Sequence, residues 1–254
     1  MIPRKINYVW LSGRPLNLVA RRCVSSWKKV MPDFEIKRWT MKDFDFSTMP
    51  LFVKQALEKK KWAFVTDYLR LYILYKEGGI YLDSDVLVTR SFSPFLENSF
   101  FSSIELHKND FIPYRHLLDE EGNAKADHIP GFCMQAAITG REKSHPFIYK
   151  CMEYYKNRPF IQKDGSLYTT FIAPDIFAFC ARDYGFKYID SLQHLENGMT
   201  IYDSTVFAGS LYERHINNYA IHTCSGSWRE MSFLQKLKVL FFQLKEITSI
   251  KPQS

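Results

Sequence analysis

The chain reads as an α/β fold in which strands alternate with covering helices, and three observations carry that reading. Residues 6–11 (Ile-Asn-Tyr-Val-Trp-Leu) form a near-continuous apolar run closed by Ser12-Gly13-Arg14-Pro15, the pattern of a buried strand feeding a loop. A helical stretch to about Trp27 and a break at Pro32-Asp33 precede a second strand over 34–39. Such strand–helix–strand alternation predicts a parallel sheet. Further on, Trp62, Val65, Leu69 and Ile73 fall at helical spacing through 62–77. Gly78-Gly79 then stops that helix, because glycine tolerates positive φ.

The remaining elements follow in order. Immediately after Gly79 comes a short apolar strand ending in Asp83-Ser84-Asp85. Residues 105–130 are polar and charged and read as a loop. A small-residue stretch over 131–140, a helix start at Pro174-Asp175 and a strand near 200–207 come next. Ala220-Ile221-His222-Thr223-Cys224 leads to Ser227-Trp228, and an amphipathic tail spans 233–247, with Leu237, Phe241 and Leu244 on one side and Lys236, Lys238 and Lys245 elsewhere. No repeat or linker interrupts the 254 residues. The expectation is one domain, divided into 1–104, 105–228 and a tail over 229–254.

Composition narrows the classes. With 46% hydrophobic and 16% aromatic residues, a sizeable core is available and disorder is not indicated. No apolar run reaches the roughly 20 residues that span a bilayer. Five scattered cysteines without CxxC spacing, and no signal-peptide pattern at the start, suggest reduced thiols in a cytoplasmic protein. Residues 1–62 hold 14 Lys/Arg against 5 Asp/Glu, whereas the rest of the chain is near neutral. That excess favours an anionic partner without choosing among nucleotide, nucleic acid and acidic membrane.

The chemistry concentrates in Gly78-Gly79-Ile80-Tyr81-Leu82-Asp83-Ser84-Asp85. In an extended strand residues two apart share a face, so Asp83 and Asp85 are expected to point the same way with Cα atoms roughly 7 Å apart. Two carboxylates aimed into one space suit a hard divalent ion such as Mg²⁺ or Mn²⁺; a turn cap is the simpler alternative. Upstream, Asp67 and Arg70 lie three apart on one helix face, either as a local ion pair or reaching into a cleft.

Thr66-Asp67-Tyr68-Leu69-Arg70, then Leu74-Tyr75, then the Gly78–Asp85 string together resemble the central signature of family 32 glycosyltransferases. Ile2-Pro3-Arg4-Lys5-Ile6-Asn7-Tyr8-Val9-Trp10 is similar to that family's first strand, and Ala220-Ile221-His222 with Ser227-Trp228 to its C-terminal element. A more distant similarity is to the glucosylating domain of large clostridial toxins. The resemblance implies the GT-A fold, a Rossmann-like mixed sheet flanked by helices with a C-terminal helical tail, and a DxD sugar-nucleotide motif. It implies that Trp10 offers its face to a nucleotide base. Asp67 and Arg70 contact the donor sugar and its phosphates, with Tyr81 in the same subsite. Asp83, Asp85 and His222 hold the metal, Asp83 alternatively the ribose, while Ser227 and Trp228 donate to the leaving diphosphate. Thr66 stands where serine is common in the family, and Cys224 where bulkier or basic residues are often found.

The implied reaction is metal-dependent, retaining transfer of a hexosyl unit. Its donor is a nucleoside diphosphate sugar, UDP-hexose by family breadth. Its acceptor is a glycan or lipid-linked molecule of surface polysaccharide synthesis, as in the bacterial members. Two other classes compete. A strand ending in Asp-x-Asp also opens haloacid-dehalogenase-like phosphohydrolases, although there the motif starts the domain and a second acidic pair follows. A basic, non-catalytic membrane or nucleic-acid module fits the charge, but no RRM, KH or helix-turn-helix pattern is present and no nucleic-acid partner is expected. The tail either docks on the protein's own core or rests peripherally on the inner face of an anionic membrane.

Overall fold

The computed structural model describes residues 1–224 and 232–250. The first half comprises β1 (Lys5–Val9), α1 (Leu18–Val30), β2 (Glu35–Trp39), α2 (Leu51–Glu58), α3 (Trp62–Glu77), β3 (Gly79–Leu82), β4 (Val86–Val88), β5 (Phe100–Leu106) and α4 (Lys108–Phe111). The second comprises β6 (Phe132–Met134), β7 (Ile138–Arg141), α5 (Pro146–Lys156), α6 (Ala173–Ala181), β8 (Gln193–Leu195), β9 (Met199–Tyr202), β10 (Phe207–Ala208), β11 (Ala220–His222) and α7 (Phe233–Ser249).

The main sheet runs β2-β1-β3-β7-β5-β9-β8, with β6 also on β5. β1 is parallel to both β2 and β3, as the alternation predicts. Beyond β3 the sheet is mixed, because β7 runs antiparallel to both β3 and β5. β6 and β7 form one return strand broken at residues 135–137. The sheet is therefore mixed and flanked by helices, with a helix at the C-terminal end, as implied for a GT-A chain.

Strand alternation divides the core. Tyr81, Phe100 and Ile104 pack with residues of α2, α3, α5 and α6 on one face. Ile80, Leu82 and Phe101 pack with Val24 and Trp27 of α1 on the other. Asn7, fully buried in β1, donates to the Gly78 carbonyl at 3.3 Å and accepts from Trp39 Nε1 at 2.9 Å. It thereby ties the α3–β3 turn to the sheet. A side chain at Gly79 (φ +87°) would place its Cβ 2.6 Å from the Lys5 carbonyl oxygen, so glycine is needed there for close approach as well as for the turn.

Three expectations change. Residues 105–130 are not simply a loop: β5 extends to Leu106, α4 follows, and a 3-10 turn covers Ile112–Leu117. The strand expected near 200–207 splits into β9 and β10, which join different sheets. Docking of α7 is on its own core, through Leu240, Leu244 and Ile247 against Val19, Cys23 and Leu87. The buried line is rotated from the expected one. Gln243 is inside because its Nε2 donates to the Thr223 carbonyl at 3.0 Å, whereas Phe241 is 69% exposed.

Candidate active site

β3 ends at Leu82, one residue before the motif. Asp83, Ser84 and Asp85 form a turn into β4, closed by Val86 N–H donating to the Asp83 carbonyl at 3.0 Å. The strand-face argument for the two carboxylates is thus corrected: a turn, not strand alternation, brings them together. Asp83 N–H donates to the Ala137 carbonyl at 2.9 Å, and Thr223 N–H to the Asp85 carbonyl at 3.0 Å, so both ends of the turn are anchored.

His222 arrives by long-range pairing. β11 runs antiparallel to β4 in a small sheet with β10, and places His222 opposite Val86. Its Nε2 lies 3.4 Å from Asp85 Oδ1. One ligand atom each from Asp83, Asp85 and His222 lie within 4.8 Å of one another. Two hard carboxylate oxygens and an imidazole nitrogen in that space fit a divalent cation, with coordination positions left over for a substrate phosphate. Burial acts to lower the His222 pKa, but Cys224 and Asp85 beside it more than reverse this and hold it well above the usual value. A cation therefore competes with a proton at this nitrogen.

Arg70 organises the rest. It is 6% exposed. Its Nη2 donates to Asp67 Oδ1 at 2.8 Å; its Nη1 donates to Asp83 Oδ2 at 3.2 Å and to the Ala136 carbonyl at 2.9 Å. Burial alone would lower its pKa, yet Asp83, Tyr81 and Asp67 raise it above the ordinary guanidinium value. The local ion pair of Asp67 and Arg70 is present, and Arg70 extends it to the Asp-Ser-Asp turn. Tyr81, fully buried, donates its hydroxyl to Asp83 Oδ1 at 2.8 Å, and burial with Asp83 keeps that phenol protonated. Asp83 thus has a donor on each oxygen, which fixes its carboxylate plane. Asp67 is pushed up to about 6 by burial, against the opposing effect of Arg70.

Trp10 lies just beyond β1, parallel to β3, and so at the same edge of the sheet. Its indole Nε1 donates to the Arg14 carbonyl at 2.8 Å. Ser227 and Trp228 lie outside the described residues.

Sequence reasoning missed residues 135–137. The Gln135 side chain accepts from Ala137 N–H at 3.0 Å, the Ala136 carbonyl receives Arg70, and the Ala137 carbonyl receives Asp83 N–H. Gln135 Nε2 is buried with no hydrogen-bond partner among the described residues. The signal was the small-residue stretch, whose role is to let backbone carbonyls reach the site.

Parts of the chain are similar to known glycosyltransferases. Residues 19–102 match the family model described as "Glycosyltransferase sugar-binding region containing DXD motif". That span includes Asp67, Arg70, Tyr81, Asp83 and Asp85 but neither Trp10 nor His222. Inositol phosphoceramide mannosyltransferase 3 of Schizosaccharomyces pombe is 34% identical over 101 residues, which are 37% of this chain. The match spans only 27% of that relative's length. Among solved structures, the PaToxG glycosyltransferase is 16% identical with a TM-score of 0.45, over 72% of this chain and 69% of its own. The galactosyltransferase LgtC in complex with donor and acceptor sugar analogues is 17% identical with a TM-score of 0.43, over 98% and 97%. The similarity to the glycosyltransferase sugar-binding region with its DXD motif lies over residues 19–102, about a third of the chain.

Proposed function

We propose that this protein is a metal-dependent, retaining glycosyltransferase that moves a hexosyl unit from a nucleoside diphosphate sugar, UDP-hexose in first place, to a glycan or lipid-linked acceptor in surface polysaccharide synthesis. The observation that carries the reading is the convergence of Asp83, Asp85 and His222 beside a buried guanidinium held by two carboxylates. Asp83, Asp85 and His222 would hold Mn²⁺ or Mg²⁺, which supplies charge stabilisation for a departing diphosphate. Arg70, kept charged and aimed by Asp67 and Asp83, adds a preorganised cation at the same place. Asp67 orients the donor sugar, and Tyr81 holds Asp83 in the plane it needs. Trp10 at the sheet edge stacks on the base, with Ser227 and Trp228 reserved for the leaving group. In this reading residues 1–104 form the donor half of one domain, and residues 105–228 the acceptor half. Asp127 and His128 support the latter, because they line a cleft of about 220 Å³ with Tyr154, Tyr168 and Phe171, a mixed aromatic and polar wall suited to a sugar ring. The protein works in the cytoplasm, peripherally on the inner face of the membrane through α7.

Thermal unfolding with UDP, GDP, ADP and CMP, each with and without Mn²⁺, tests the donor site. One nucleotide is expected to stabilise the protein by about 2.7 kcal/mol at a hundred times its Kd, only with the metal, and not in Asp85→Ala. No shift with any nucleotide refutes the reading and sends the search to phosphatase assays. NMR of the sugar product reads the anomeric outcome, and inversion defeats the retaining assignment.

A further inference from the structure

The excess of positive charge in the first 62 residues is not used by the site just described. Four of these fourteen cations sit on α1, which carries Arg21, Arg22, Lys28 and Lys29 and no acidic residue. α7 packs along this helix. Arg22 is committed to that contact, its Nη1 donating to the Leu244 carbonyl at 3.2 Å and to Thr248 Oγ1 at 2.6 Å. Beside it opens a groove of about 520 Å³, whose lining includes Leu18, Arg21, Ser25, Lys29 and Thr248 and no carboxylate. Arg21, Ser25 and Lys29 are exposed and recur every four residues, so they stand in one row along the lip.

α7 adds a second feature. At 100° per residue, Leu234, Leu237, Phe241 and Thr248 share one face, with Lys238 and Lys245 on its flank. Leu234 and Phe241 are each 69% exposed, and this line lies away from the docked one. The apolar strip ends at Phe241, and the same face continues through Lys245 to Thr248 on the basic groove. An apolar strip bordered by lysines suits the headgroup–acyl boundary of a bilayer. Nucleic acid would use the cations and leave the strip bare. We infer that the α1–α7 groove seats the phosphate of an anionic lipid headgroup while Leu234 and Phe241 enter the acyl boundary beside it. This rests on the reading of α7 as a peripheral membrane contact, but not on the nucleotide site.

Vesicle flotation of the full chain tests both layers separately, using phosphatidylcholine alone and phosphatidylcholine with phosphatidylglycerol. The protein is expected to float with the anionic vesicles in preference to the neutral ones. Arg21→Gln with Lys29→Gln should weaken anionic binding about 30-fold, taking each cation near the surface at its usual worth. Leu234→Ser with Phe241→Ser should weaken binding to both vesicles. Unchanged thermal unfolding in each variant shows that the fold is intact. Anionic preference surviving in the Arg21/Lys29 variant overturns the groove and leaves the membrane contact standing. Failure of the unmodified protein to float with either vesicle overturns both. Thermal stabilisation by glycerol phosphate that depends on Arg21 and Lys29, without vesicle binding, replaces the lipid by a free phosphate ester.

Discussion

Two arginines are buried at opposite ends of the same strands, and they are held in opposite ways. Arg70 meets Asp83 just past the C-terminal end of β3. Arg141 stands in β7 opposite Gly79, at the N-terminal end. Arg70 has two carboxylates and a carbonyl around its Nη atoms. Arg141 is fully buried, with one hydrogen bond from Nη2 to the Tyr75 carbonyl at 3.3 Å and the Tyr75 ring 5.7 Å away. Burial lowers the Arg141 pKa to about 9, against weaker opposing effects of Tyr75 and Glu142, whereas Arg70 is raised. The contrast separates a cation maintained for use from one tolerated for packing. At Arg70 the desolvation cost is offset by anions, one of which, Asp83, also faces Asp85 and His222. At Arg141 the long stem and planar head fill space, and the charge goes largely uncompensated.

Paired substitutions sharpen this contrast. Arg70→Met leaves Asp67 and Asp83 facing each other in a buried space, and is expected to cost about 3–5 kcal/mol in urea unfolding as well as activity. Equal losses in Arg70→Met and Arg141→Met would dissolve the distinction.

A middle-sized effect concerns Asp67, whose carboxyl is held at about 6 in the folded protein. The folded state binds this proton more tightly than the unfolded chain, where the pKa is about 3.9. Asp67 therefore weakens the fold fully above about pH 6 and not at all below about pH 4, a difference of about 2–3 kcal/mol. Urea midpoints across that window should fall with rising pH more steeply in the unmodified protein than in Asp67→Asn. Parallel curves would mean that Arg70 already keeps Asp67 ionised at little cost.

The smallest change is expected at the other end of the strands. Arg141→Met removes an uncompensated buried charge while keeping an unbranched apolar side chain. Its unfolding free energy should stay level or rise by about 1 kcal/mol. A loss of several kcal/mol would show that Arg141 is paired as effectively as Arg70.

The sequence made some of these features legible and hid others for identifiable reasons. α3 falls on 62–77 as read, because its apolar spacing is local and Gly78-Gly79 punctuates it. Asp67, Arg70 and the Asp-Ser-Asp turn share the α3–β3 unit, so their proximity follows from short-range structure. His222 reaches Asp85 only through the β4–β11 ladder, a pairing that no local pattern announces; its place in the sequence was suggested by resemblance alone. The buried line of α7 was misread because Gln243 looks like a surface residue until Thr223 supplies its partner. Residues 136 and 137 act through backbone carbonyls, which every residue has; the small-residue stretch marked their place, but no side-chain type marked their role.

The same ladder has a consequence for how such a chain can diversify. His222 is set beside Asp85 by three facing residues, Val86, Leu87 and Val88 against His222, Ile221 and Ala220. For the Asp85–His222 pair, the chain between Thr89 and Tyr219 leaves and returns at neighbouring points. Two parts of it must come back to the same place: residues 136–141, whose carbonyls hold Arg70 and Asp83 and whose β7 pairs with β3, and β10, which pairs with β11. The segments between those fixed points can lengthen, shrink or be exchanged while the zipper keeps its register.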